Sequence, residues 1–245
     1  MIAYIMRHAV RWRLVRRMAS RCRTHGTVCL TYDDGPGPTL TSRLLDLLAN
    51  QGVKASFYLL GRRVAQAPEV VDRIRSEGHE IGCHTMNHEH AWKVSPARSR
   101  DDVRLGYDVL ERWDGGRARF RPPYGKLGIG SVSECARRGV AIDWWTVDSG
   151  DTRPQPPESE QVVDQVLTRS GGVVLLHDFD RVEDAEFKSR FVLETTEQII
   201  TRGRKAGLRF CTVGALMGGE PGPAGSMTRE CPSDRAAPTA PRCEQ

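Results

Sequence analysis

Val28-Cys29-Leu30-Thr31-Tyr32-Asp33-Asp34, followed by Gly35-Pro36-Gly37-Pro38, is the stretch that decides the fold. A short apolar run bounded by Gly and Pro reads as a buried strand. This one ends on two adjacent carboxylates. Outward from it, the same unit repeats. Strands are predicted at 54–60, 80–85, 117–123, 141–148, 172–178 and 208–213. Helical stretches separate them at 40–50, 68–76, 99–113, 131–138, 160–168 and 191–205. Pro68 opens one helix that ends before Gly78, and Gly52, Gly139 and Gly207 follow the ends of others, which is the usual placement of these residues.

Seven strands alternating with helices imply parallel pairing through crossover helices. The expected fold is therefore α/β, a single-domain distorted (β/α) barrel of about seven parallel strands over residues 27–217. No Gly-rich dinucleotide fingerprint opens a helix, which weighs against a doubly wound nucleotide-binding sheet. Polar residues gather at the predicted C-terminal strand ends: Asp33 and Asp34, His84, Arg121, Asp148, His177 and Asp178. In parallel α/β folds the active site lies at that end.

Charge is distributed unevenly. Residues 1–25 hold seven Arg and no acid, leaving 29 basic against 31 acidic residues in the remainder. A near-neutral body gives no basis for a nucleic-acid partner. Met6, Val10, Leu14 and Met18 recur every four residues, so 1–26 is expected to be a basic amphipathic helical arm. Its apolar stripe either docks on the domain or lies on an anionic membrane surface; docking is the plainer reading. The arm has neither the uninterrupted apolar core nor the small-residue cleavage site of a signal peptide. The expectation is a cytoplasmic or membrane-peripheral protein. Residues 218–245, rich in Gly, Pro and Ser, are expected to form a disordered tail. Seven Cys without a C-x-x-C pair suggest neither a disulfide framework nor a thiolate zinc site.

Two motifs carry chemistry. Asp33-Asp34-Gly35 by itself is most often a turn. If the strand continued, its carboxylates would point in opposite directions and could take different jobs, one on a metal and one as a base. His84 and His88, spaced i and i+4, would share one side of a helical turn and could hold one cation. Each motif alone has an ordinary explanation. Together, two His and one Asp make a three-ligand site with a position left for water, the arrangement of catalytic zinc. A metal there gives a nucleophile at neutral pH, and a second carboxylate can take the proton. His79 and His90 are out of step and read as structural or solvated.

With five motifs in order over roughly 27–217, the chain resembles the polysaccharide deacetylases with the NodB-homology domain, carbohydrate esterase family four. The motifs are Thr31-Tyr32-Asp33-Asp34-Gly35-Pro36, His84 with His88, Arg121-Pro122-Pro123-Tyr124-Gly125, Asp148-Ser149-Gly150-Asp151 and Leu175-Leu176-His177-Asp178. The resemblance implies Asp33 as general base, and Asp34, His84 and His88 as metal ligands. It implies that Arg121 holds the base, that the Tyr124 N–H is an oxyanion donor, and that Asp151 orients His177, the general acid. Leu175 would line the acetyl pocket.

One departure stands out: Thr152 occupies the position where the family usually has Trp, and Trp145 or Trp92 is the expected replacement wall. The implied reaction is metal-dependent removal of an N-acetyl group from an amino sugar, as in peptidoglycan, a chitin-type oligomer or a small glycoside. The alternative on the same fold is hydrolysis of a small non-saccharide amide. A sugar-binding module without catalysis would be expected to have lost Asp33 or His177, and both are present. Zn2+ is the default cofactor, with Co2+, Mn2+ or Ni2+ also suited to the donor set.

Overall fold

The computed structural model describes residues 2–114, 118–179 and 185–218. The proposed tail beyond Gly218 lies outside them, as do Cys231 and Cys243. Among the described residues there are seven strands: β1 (Thr27–Asp33), β2 (Ser56–Leu59), β3 (Glu80–Cys83), β4 (Arg119–Phe120), β5 (Val147–Asp148), β6 (Gly172–His177) and β7 (Arg209–Phe210). Nine helices accompany them: α1 (Ile2–His25), α2 (Leu40–Asn50), α3 (Gly61–Val64), α4 (Pro68–Ser76), α5 (Pro96–Asp114), α6 (Ile129–Arg138), α7 (Ser159–Thr168), α8 (Ala185–Lys205) and α9 (Val213–Gly218).

Every strand pair is parallel, in the order β4-β3-β2-β1-β6-β5, with β7 added to the start of β1. The two ends of this sheet meet through one parallel bridge between Phe120 and Ile142. Tyr58 and Arg119 reinforce that seam by converging on Asp143, the Tyr58 hydroxyl at 2.8 Å and the Arg119 guanidinium at 2.6 Å. The result is a distorted barrel, closed side to side by a bridge and an ion pair instead of a full ladder.

β1 and β6 form the centre. Their six-residue register runs from Val28 opposite Gly172 to Asp33 opposite His177. This pairing sets two of the chemically important residues side by side. The strands are buried on both faces, which explains their unbroken apolar runs. The helices cover the barrel through regular apolar stripes: Val103, Tyr107 and Leu110 on α5, and Val192, Thr195, Thr196, Ile199 and Ile200 on α8 are all buried.

Several sequence expectations change in detail. The stretch 117–123 pairs only at Arg119–Phe120, because Pro122 and Pro123 cannot donate to a ladder. The stretch 141–148 pairs as a strand only at Val147–Asp148, its earlier part forming the barrel seam. The last expected strand is two residues long and gives way to α9. The arm is a helix whose second half docks: Met18 and Cys22 are buried with Cys29, Val173, Val213 and Leu216, and Arg21 donates to the Leu216 carbonyl at 2.7 Å. Cys29 and Cys211 approach to 3.8 Å between sulfurs as free thiols. No described helix is long and apolar enough to cross a membrane.

Candidate active site

β1 ends at Asp33. The next residue, Asp34, has φ 73°, a left-handed turn that Asp tolerates better than most residues. The strand does not continue, so the expectation of opposed carboxylates fails and both acids face one cleft. The following turn is clamped from β6. Thr41 Oγ1 donates to Asp178 at 2.8 Å and accepts the Gly37 N–H at 2.7 Å. A Cβ on Gly35 would collide with the Asp178 carboxylate, so only glycine fits there.

His84 and His88 do not share a helical turn. The segment after β3 is an irregular loop with φ 72° at Thr85 and 64° at His88. It is held from outside by Asp102 of α5, which accepts the N–H groups of Asn87 at 2.8 Å and Glu89 at 3.2 Å. Gly106 lets α5 come close, since a Cβ there would meet the Thr85 backbone at 2.6 Å. The loop still delivers both rings to Asp34. His88 Nε2 lies 3.2 Å and His84 Nε2 3.5 Å from Asp34 Oδ1. One ligand atom from each of the three residues falls within 4.8 Å of the others.

This trio fits a divalent cation. Asp34 Oδ1 is buried without a hydrogen-bond partner, a costly state for a carboxylate oxygen unless a cation meets it. His84 Nδ1 lies 2.7 Å from the Arg121 carbonyl. As donor to that carbonyl, it leaves the Nε2 lone pair facing the cluster, the usual arrangement behind a metal-bound imidazole. Burial lowers the His84 pKa to about 3 despite Asp34, and burial lowers that of His88 as well. Both rings are therefore neutral and able to ligate at physiological pH.

Asp33 Oδ1 accepts from Arg121 Nη1 at 2.7 Å, and the same nitrogen reaches Thr31 Oγ1 at 2.7 Å. The Arg121 guanidinium is fully buried, stacked 3.9 Å over the Tyr58 ring. Burial raises the Asp33 pKa, and the Arg121 charge opposes it. The net effect strengthens Asp33 as a proton acceptor. On the neighbouring strand, His177 Nδ1 lies 2.9 Å from Asp151 Oδ1. Burial disfavours the imidazolium, but Asp151, helped by Asp34 and Asp33, outweighs it and raises the pKa to about 9.

Asp33, Asp34, His84, His88 and His177 line a cleft of about 600 Å3 with Leu60, Arg62, Arg63, Pro122, Tyr124, Trp145, Asp148, Thr152, Leu175 and Phe179. Of Trp145 and Trp92, Trp145 is the one that shares the cleft lining with Thr152. Trp92 instead donates its indole N–H to the Leu127 carbonyl at 3.0 Å, away from the lining. Tyr124, at φ 56°, lies with its ring centroid 4.5 Å from that of His88. His79 is remote, accepting the Ala55 N–H, whereas His90 comes within 5.2 Å of Tyr124 between ring centroids. Sequence reasoning did not single out Asp102, Arg62, Arg63 or Phe179. Buried acids and surface-type arginines on helices have no motif to mark them.

The polysaccharide deacetylase family model matches residues 20–141. A Bacillus cereus peptidoglycan-N-acetylglucosamine deacetylase is 33% identical over 192 residues, covering 78% of this chain and 87% of that protein. A chitooligosaccharide deacetylase of Bradyrhizobium sp. is 35% identical over 156 residues, covering 62% and 70%. Among solved structures, the Bc1960 peptidoglycan N-acetylglucosamine deacetylase, crystallised with a substituted benzamide, superposes with a TM-score of 0.70 at 30% identity, over 80% of this chain and 90% of that one. The chain belongs to the polysaccharide deacetylase family.

Proposed function

We propose that this protein is a divalent-metal-dependent hydrolase that removes N-acetyl groups from amino sugars in a saccharide chain. The observation that carries this reading is the convergence of Asp34, His84 and His88 on one point, with Asp33 and His177 lining the same cleft. A cation held by that trio supplies Lewis acidity toward water and the acyl oxygen; Zn2+ is the first choice for two imidazoles and a carboxylate.

The protein's own groups do the proton work. Asp33, kept in place by Arg121, takes the proton from the attacking water. The Tyr124 N–H donates to the developing oxyanion. His177, charged at neutral pH, gives its proton to the departing amine, a poor leaving group until protonated. Leu175 presents an apolar surface to the acetyl methyl, and Trp145 and Tyr124 offer faces for a sugar ring. A cleft of about 600 Å3 exceeds what a small amide needs, which favours the saccharide over the small-amide alternative.

The exposed half of α1 carries Val10 and Trp12 among Arg13, Arg16 and Arg17, a composition suited to an anionic membrane surface. Sedimentation with anionic liposomes tests this contact. Trp12→Ala should weaken binding, and equal binding by the variant would remove the idea. The enzymatic reading is tested by mass spectrometry of N-acetylglucosamine oligomers incubated with the zinc-loaded protein. Free amines must appear on the sugar; oligomers left intact would overturn it.

A further inference from the structure

Three thiols meet where α1, β1 and the C-terminal strand come together. Cys22 of α1 and Cys29 of β1 are buried in one cluster with Met18, Val213 and Leu216, and Cys211, just past β7, packs against it half-buried. The strand register brings two of them together. Val28 pairs with Phe210, the Cys211 N–H donates to the Val28 carbonyl at 3.2 Å, and the next residue along each strand is a cysteine. The Cys29 and Cys211 sulfurs lie 3.8 Å apart although the residues are 182 apart in sequence. Cys29 Sγ also lies 3.7 Å from the Thr212 carbonyl. Neighbouring strands run about 4.8 Å apart, inside the ~4.4–6.8 Å between Cα atoms that a disulfide spans.

The two sulfurs are unlike. The hydrogen bond from Cys29 lowers the Cys211 pKa against the cost of burial, and Arg209 adds to the effect. The Cys29 thiol is raised by its hydrogen bonds to Cys211 and Cys22 and then by burial. The pair thus joins a half-exposed sulfur with thiolate character to a buried one that holds its proton. These are the properties of an attacking and a resolving cysteine. Cys83 and Cys135 differ from both: each is buried, and burial pushes their thiols up, Cys135 to about 12.

We propose that Cys29 and Cys211 are a redox-active dithiol, which a peroxide converts to a disulfide that staples the C-terminal strand and α9 to the central strand of the barrel. The Cys211 thiolate attacks one oxygen of hydrogen peroxide, the O–O bond breaks, and hydroxide leaves, giving a sulfenic acid. The Cys29 sulfur then attacks the Cys211 sulfur. The S–O bond breaks, and the hydroxyl departs with the Cys29 proton as water. The two sulfurs together lose two electrons, and the peroxide is reduced to hydroxide and water. The link closes a loop over nearly the whole barrel, the case in which a crosslink most restricts the unfolded chain. Among the residues that line the catalytic cleft neither cysteine is found, so the disulfide changes stability and leaves turnover as it was. This chemistry does not depend on the deacetylase reading.

The test treats the zinc-loaded full-length protein with hydrogen peroxide, alkylates the remaining thiols in denaturant and digests with trypsin without reduction. Cleavage separates the three thiols, Cys22 falling in 22–23, Cys29 in 24–43 and Cys211 in 210–229. Mass spectrometry should find 24–43 joined to 210–229, two hydrogen atoms lighter than their sum, with Cys83 and Cys135 alkylated as thiols. The melting temperature should rise by on the order of 10 °C and return on adding dithiothreitol. Cys211→Ser, at a half-buried position, should leave Cys29 reduced at the same peroxide dose and abolish the rise. The peptide map of the unsubstituted protein stands even if that variant does not fold. A link from Cys29 to Cys22, a link from Cys211 to Cys231 or Cys243, or oxidation of Cys83 and Cys135 as fast as Cys211 would overturn the pairing. Joined peptides with no dithiothreitol-reversible rise in melting temperature would overturn the staple.

Discussion

The Asp151 carboxylate grips His177 twice: Oδ1 lies 2.9 Å from the ring Nδ1 and Oδ2 accepts the His177 backbone N–H at 2.7 Å. One buried acid thereby fixes both the position of the residue and the charge of its ring. Nε2 is left as the proton-bearing atom toward the cleft. His177, with its pKa raised to about 9, is charged at neutral pH, and Asp151 itself is lowered by the His177 charge against the cost of burial.

This predicts the alkaline limb of the pH–rate profile. Activity should fall as His177 loses its proton, near pH 9 or below it, since a bound cation can only lower that pKa. Asp151→Asn should move the limb toward the ordinary histidine value and cut kcat by about 10²–10⁴-fold. A profile from pH 6 to 10 on the two proteins checks this; an unmoved limb would mean another group controls it.

The same pair makes a stability prediction for the chelated protein. A histidine whose folded pKa is raised stabilises the fold below its unfolded value near 6.5, and this contribution is lost as pH rises through about 9. Its size is at most on the order of 3 kcal/mol. Denaturant titrations of the metal-free protein at several pH values should show the decline, and Asp151→Asn should flatten it.

Arg121 and Asp33 are a buried pair, so removing one partner strands the other. Arg121→Met should cost about 3–5 kcal/mol. Arg121→Met combined with Asp33→Asn should recover much of the stability but none of the activity. Chemical unfolding and acetate release measured on the two variants separate the structural from the chemical role of the pair.

Asp102 bonds the Asn87 and Glu89 N–H groups on either side of His88 and so holds the loop that bears the candidate ligands. Asp102→Asn should weaken zinc binding by about 10–100-fold, as outer supports of metal sites do, while leaving Asp34, His84 and His88 unaltered. Competition against a chromogenic chelator reads this directly. Unchanged affinity would mean that the loop is held by its own turns.

The sequence was legible wherever burial forces composition. β1 and β6 are central, covered on both faces, and unmistakable as apolar runs. The residues expected to do chemistry are found where those runs stop, because a parallel barrel gathers its strand ends at one rim. Legibility fails where local geometry departs from a regular period. Asp34, His88 and Tyr124 reach the cleft through positive φ, which residue spacing does not encode. The i, i+4 spacing of His84 and His88 therefore predicts a helical turn where the structure has a loop. The two-residue strands β4, β5 and β7 are held by tertiary contacts, such as the Asp143 seam, that no short window contains. Arg62 and Arg63 look like any solvated helix face until the fold turns that face into the cleft.

In the proposed mechanism one cation at Asp34, His84 and His88 works together with the Asp33 carboxylate to hydrolyse an N-acetyl amide. The most direct measurement is acetate release from an N-acetylglucosamine oligomer as zinc is titrated into chelated protein. Release should rise linearly and stop at one equivalent. Asp33→Asn should bind that same equivalent with almost no release. Full activity without metal, or undiminished activity in Asp33→Asn, would contradict the account.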